Sequence, residues 1–175
     1  MISIPDLLWS HLLDEFARHP VGVERVAYLD GVRWTDSAGE VHGIVTTVTI
    51  PDAILTRGNY QVSAESIAQA GRHFAALGLV RLIQVHTHGN GWVGHSDTDD
   101  QKAYSRRVGA MSIVLPHHAR HTPGPLDGGV HVRDRSGWRR LDGPDAEACV
   151  RLVPSDLNFR TSRRGWNWRN LPWKQ

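Results

Sequence analysis

The sequence predicts one α+β domain, a single mixed β-sheet flanked by helices. Three observations carry this. Residues 6–18 and 63–77 space their apolar side chains as helices do, whereas residues 41–50 are rich in Val, Ile and Thr. The order that results is helix, hairpin, helix, strand, short helix, strands. The length, 175 residues with 40% hydrophobic and 22% charged, suits one domain with a proper core and is short for two.

In the first helix Leu8, Leu12 or Leu13, and Phe16 fall on one face, with Asp6 as N-cap and the run His19-Pro20-Val21-Gly22 as its end. Residues 23–34 and 41–50 read as a hairpin joined by the turn residues Thr35 to Glu40. Ser63 and Ser66 are alternative caps for the second helix, and Gly78 stops it. Residues 81–85 form a short apolar run with the character of a buried strand, and it leads directly into His86. A short helix over 98–107 follows, then a strand at 111–115. A Pro/Gly/His-rich surface loop covers 116–129. A terminal hairpin is built from 130–133 and 138–141. Residues 1–154 make the domain, and 155–175 a basic, Trp-rich tail.

The N-terminus has no basic region followed by an apolar run, and no stretch is long and apolar enough to cross a bilayer. Cys149 is the only cysteine, which excludes an internal disulfide or a multi-Cys zinc site and suits a reducing cytoplasm. The formal charge of +2 is uneven: the tail carries Arg160, Arg163, Arg164, Arg169 and Lys174 against Asp156, or +4, leaving −2 for the rest. A slightly acidic body argues against nucleic acid as the partner. Arg and Trp interleaved in the tail can stack on bases, but docking of the Trp rings on a partner or on the domain itself is the preferred reading.

The chemistry concentrates in residues 86–99. If the strand reaches 87, His86 and His88 share one face, because strand side chains alternate. Gly89, Gly91 and Gly94 let the chain turn back and bring Ser96 and Asp99 towards the pair. Two His and one carboxylate with a position left open is the composition of a catalytic zinc site. Such a site also needs a base. Glu24, a charge at the start of an otherwise apolar strand, is the natural candidate, ahead of Glu15 in the first helix and Glu40 in the turn. Ser96 could donate to a developing oxyanion.

The pattern His-x-His, seven residues, Ser, two residues, Asp resembles the JAMM motif of the JAB/MPN family, with every motif position filled. The family's glutamate lies upstream, on the strand after the first helix, where Glu24 stands. The resemblance implies a JAB/MPN-like layered domain of the cytidine-deaminase-like kind. It implies one Zn²⁺ held by His86, His88 and Asp99, Glu24 as general acid/base, and Ser96 as oxyanion stabiliser. Members that keep all five are typically peptidases or isopeptidases cutting after the C-terminal glycine of ubiquitin or ubiquitin-like proteins, whereas members without the ligands are scaffolds. A non-catalytic module that binds a ubiquitin-like protein is therefore the alternative. Gly89 replaces the Pro usual in eukaryotic members, and the segments near 52–62 and 104–129 are short, as in a compact bacterial version. Some bacterial members accompany ubiquitin-like conjugation or sulfur-carrier systems, including those of antiviral (anti-phage) defence.

Other histidines read more plainly. His95, Asp97 and Asp100 are taken as surface groups or caps, His95 with possible access to substrate. The run His117-His118-Ala119-Arg120-His121 is read as a solvated loop rather than a second metal site, since no carboxylate or Cys accompanies it. Cys149 is assigned to packing. A nucleobase deaminase would need a downstream Cys pair that one cysteine cannot supply.

Overall fold

The computed structural model describes residues 1–18 and 22–155, the side chain of Lys102 excepted. Ile2–Pro5 (β1) leads into Asp6–Ala17 (α1), then Val26–Thr35 (β2), Val41–Thr49 (β3), Ala53–Leu55 (β4) and Tyr60–Val62 (β5). Ala64–Leu77 (α2), Val80–Thr87 (β6), Asp97–Lys102 (α3) and Met111–Leu115 (β7) follow, and then Gly129–Arg133 (β8), Trp138–Arg140 (β9), Gly143–Cys149 (α4) and Val150–Val153 (β10). Among the described residues eight strands form one sheet in the order β10-β1-β3-β2-β6-β7-β8-β9, and β4 with β5 forms a separate hairpin. The sheet is mixed: β1 runs parallel to β10 and β3, β6 parallel to β7, and the other pairs are antiparallel. The expected α+β class is the observed one.

Trp9, Leu12, Leu13 and Phe16 recur at helical spacing on α1, and all four are buried. They pack with Ile4, Ala27, Leu29, Val45, Ile83 and Val85 into the main core. Strand alternation sends the neighbouring residues to the other face. Register pairs Tyr28 with Gln84 and Val26 with His86 on β2–β6, and Gln84 with Ser112 and His86 with Val114 on β6–β7. That second face is covered by Tyr60 and Tyr104, and it carries the site.

Several boundaries differ from the sequence reading. The N-cap of α1 is Pro5, and Asp6 instead accepts from the Ser155 N–H at 2.9 Å and its hydroxyl at 2.5 Å, tying the start of α1 to the end of β10. Ser63, not Ser66, caps α2, accepting from the Ser66 N–H at 3.1 Å. The helix expected over 98–107 stops at Lys102, because Ala103 turns extended and the Tyr104 N–H donates to Gln84 Oε1 at 3.3 Å. His19–Val21, and the tail from Asp156 onward, lie outside the described residues. Among the described residues no helix is long and apolar enough to cross a membrane.

Candidate metal centre

β6 is buried along almost its whole length and ends at Thr87, one residue short of His88. The ladder nevertheless continues through His88, whose N–H donates to Leu115 O at 2.9 Å and whose carbonyl accepts from the His118 N–H at 2.7 Å. Both imidazoles are therefore fixed on one face, as the alternation predicts. From Gly89 the chain crosses over β8, where the Val93 carbonyl lies so close that a Cβ on Gly129 would sit 2.0 Å from its oxygen. Glycine at 129 is what lets the loop lie this low.

The loop ends at Ser96, the N-cap of α3. Its N–H and hydroxyl both donate to Asp99 Oδ2 at 2.7 Å, and the Asp99 N–H donates back to Ser96 Oγ at 3.1 Å. This reciprocal cap fixes the Asp99 carboxylate between the two histidines. His86 Nε2 stands 3.4 Å from Oδ1 and His88 Nε2 3.4 Å from Oδ2. Nitrogen and oxygen ligands at about 2.0–2.2 Å from one zinc ion, at tetrahedral angles, are about 3.4 Å apart. The separation exceeds the roughly 2.9 Å of an ordinary N–H···O bond.

The donors are also prepared for a cation. The His88 Nδ1–H donates to Trp92 O at 3.0 Å, which leaves the Nε2 lone pair free to ligate. His86 is 0% exposed, and neither ring nitrogen makes a hydrogen bond, a costly state for a buried imidazole; a metal on Nε2, the nitrogen facing Asp99, would engage one of the two. Burial pushes the His86 imidazolium down, favouring the neutral, ligating form. At His88 burial acts in the same sense, but Asp99 and the Trp92 carbonyl outweigh it and raise the value in the metal-free protein. Burial works against the charge on Asp99 as well; the two imidazoles and the Ser96 N–H overcome it and hold the carboxyl well below the usual range. These three are the residues whose ligand atoms converge among the described residues, all within 4.8 Å of one another. They can hold a metal ion.

Glu24 belongs to the same site. It lies two residues before β2 rather than within it, held by its N–H to Thr56 O at 2.7 Å; next to it Arg25 O accepts from the Thr87 N–H at 3.0 Å. It is 8% exposed. Burial pushes its carboxyl up to about 7; His88 lowers it in part, and Asp99 adds to the rise. Glu15, by contrast, pairs with Arg18, and Glu40 is exposed in the hairpin turn.

Some neighbours were misjudged from sequence. The His95 side chain, expected at the surface, is 5% exposed: its Nδ1 pairs with Asp100 Oδ1 at 2.9 Å and its ring stacks on His131 at 4.1 Å. Tyr60 lies 5.4 Å from the His86 ring and accepts from Gln84 Nε2 at 2.6 Å. Gln84 was the available signal, a polar residue in an apolar strand two positions before His86. The exposed Trp92 stacks on His88 at 5.2 Å. His118 turns its ring onto Gly89 and His117 onto Gly91, and both take positive φ in a loop folded over the segment that follows His88. Cys149 packs against the main core, as assigned.

A strand-borne His pair, a helix-capped Asp and a buried carboxylate beside them define a metallopeptidase-type centre. No protein-family model matches the chain. A probable metalloprotease, y4jG, of Sinorhizobium fredii (strain NBRC 101917 / NGR234) is 30% identical over 131 residues, 73% of this chain and 74% of that protein. The solution structure of a Desulfitobacterium hafniense protein superposes with a TM-score of 0.62 at 16% identity, covering 89% of this chain and 94% of that one. A JAB1/MPN domain protein of Archaeoglobus fulgidus gives 0.43 at 14% identity over 86% and 98%. This chain belongs to the JAB/MPN family of metalloproteases.

Proposed function

We propose that the protein is a zinc-dependent peptidase that cleaves at the C-terminus of a ubiquitin-like, β-grasp protein, processing it or releasing it from conjugates. The observation that carries the peptidase reading is Glu24, a carboxyl poised near neutrality beside a converged His86–His88–Asp99 set. Two imidazoles and one carboxylate leave a zinc ion an open position. Bound there, zinc supplies Lewis acidity, polarising the scissile carbonyl and acidifying water.

The chain's own residues do the rest. Glu24 accepts the proton of the attacking water on its carboxylate and returns it to the leaving amine, a double duty suited to a group titrating near pH 7. Asp99 stays ionised throughout, held by the Ser96 cap. The Ser96 hydroxyl, which rests on Asp99 Oδ2, can rotate to donate to the oxyanion while the Ser96 N–H keeps the ligand in place. The ubiquitin-like substrate rests on the complete motif, since family members that keep all five positions typically act on such proteins.

The test pairs metal content with cleavage of a ubiquitin-like fusion encoded near this gene. One zinc per chain with cleavage, both lost in His88→Ala, is the expected result. Glu24→Gln should keep the zinc and lose the cleavage. A wild type that takes up no zinc from chelator-free buffer would end the catalytic reading.

A further inference from the structure

The metal centre shares a wall with a solvent-open cavity of about 310 Å³ bordered by the β4–β5 hairpin, α2 and the end of α3. It is lined by Tyr28, Tyr60, Gln61, Val62, Ile67, Ala103 and Tyr104. Tyr60 is the common wall, with its ring 5.4 Å from the His86 ring. Ala103 lies four residues beyond the ligand Asp99, so the carboxylate and the cavity rim are carried by one turn of chain.

The lining is chiefly aromatic and aliphatic, with the Gln61 amide as the exception. Among the described residues no charged side chain lines the cavity. Gln84 Nε2 donates to Tyr60 Oη at 2.6 Å, Gln84 Oε1 accepts from the Tyr104 N–H at 3.3 Å, and Tyr104 Oη accepts from the Met111 N–H at 3.3 Å. The hydroxyls of Tyr60 and Tyr104 are thus engaged, and ring faces and alkyl groups make up most of what is left to meet an occupant. The walls are also braced from behind: the Arg81 guanidinium lies 3.6 Å from the Tyr28 ring centroid and is held by Asp30 at 3.1 Å. The volume is at the low end of ligand pockets, which run from about 300 Å³ upward.

The geometry points to a specificity subsite: the cavity receives one bulky apolar side chain, Leu, Met or Phe, from a substrate residue close to the scissile bond. This rests on the peptidase reading above, because the shared Tyr60 wall lies on the way of a chain whose carbonyl reaches the metal. A charged side chain would lose its hydration there and find no counter-charge. Glycine or alanine would leave the space unfilled.

The probes are acetyl-Gly-Gly-Gly hydroxamate and its three single-leucine variants, titrated calorimetrically against the zinc-loaded full chain. The hydroxamate anchors on the metal, and the leucine position reads the cavity. One leucine placement should bind at least about tenfold tighter than the all-glycine compound, as expected for burying one apolar side chain. Ala103→Phe and Val62→Phe, which fill the cavity from two different walls, should each bring that ratio towards one. Equal binding of all four compounds to the wild type, or a preference that survives both fillings, overturns the subsite and leaves the peptidase reading intact. Failure of every compound to bind the zinc-loaded chain removes both together.

Discussion

Replacing Glu24 with glutamine should make the metal-free protein more stable while removing its activity. The carboxyl has an ordinary value of 4.5 and is raised to about 7, chiefly by burial. Each pKa unit corresponds to about 1.36 kcal/mol, so the ionised form would carry a penalty of at most about 3.4 kcal/mol. Because the carboxyl is only partly desolvated, solvent screening reduces this to about 1.5–2 kcal/mol. The sign follows from the folded value lying above the unfolded one. Below about pH 4.5 the group is protonated in both states and costs nothing; as pH rises the folded chain holds its proton longer, and above about 7 the full penalty applies. Urea unfolding followed by tryptophan fluorescence in a chelating buffer measures it. At pH 8 Glu24→Gln should exceed the wild type by about 1.5–2 kcal/mol, or about 3–8 °C in Tm. The gap should nearly vanish at pH 4.5, and also at pH 8 once zinc is bound and its charge stabilises the wild-type carboxylate. A variant no more stable than the wild type at pH 8 would refute the argument, since Glu24 would then not be a desolvated charge awaiting a cation.

Three further expectations follow from the same geometry. Zinc at about 100 times its Kd should stabilise the wild type by about 2.7 kcal/mol, a rise in Tm that His88→Ala abolishes in a thermal scan. The pH profile of kcat/KM should show an acid limb as Glu24 loses its proton, falling below pH 7 because the bound cation favours the carboxylate; a flat profile between pH 5 and 8 would remove Glu24 as the base. Gly129→Ala places a Cβ 2.0 Å from Val93 O, so the metal loop must lift. Zinc affinity should drop at least tenfold, about 1.4 kcal/mol, and isothermal titration would detect its retention if the loop can yield.

The main elements were legible because their signals are local. The helical spacing of Leu8, Leu12 or Leu13, and Phe16 and the β-branched run of β3 each name their own structure, although Trp9 rather than Leu8 is the residue fully buried at the start of that face. β1 and β10 were not legible. Each has four residues, and they become strands by pairing with one another across the length of the domain, which no short window contains. β4 and β5 are three residues each and owe their form to pairing with each other beside the site. The burial of His95 is non-local in the same way: it depends on His131, thirty-six positions on, arriving beneath its ring. Burial and the neighbouring His95 push His131 down to about 3, so the stack is neutral and packs without charge repulsion.

The convergence of His86, His88 and Asp99 was legible for a different reason: their spacing records constraints that are themselves local. His-x-His is the period of a strand, and Ser-x-x-Asp is the period of a capping box. From sequence, a helix-capping Asp99 and a metal-ligating Asp99 look like rival readings. In the structure the two are compatible: Ser96 grips Oδ2 through two donors while both oxygens face the imidazoles, so the cap holds the carboxylate where a ligand would stand. The cap cannot shift by one residue without swinging the carboxylate away from the His pair, nor can the loop shorten without losing its crossing over Gly129. Glu24 alone escapes such a rule, because it reaches the site through the lateral pairing of Arg25 with Thr87. That pairing fixes a position in space and leaves no fixed distance along the chain.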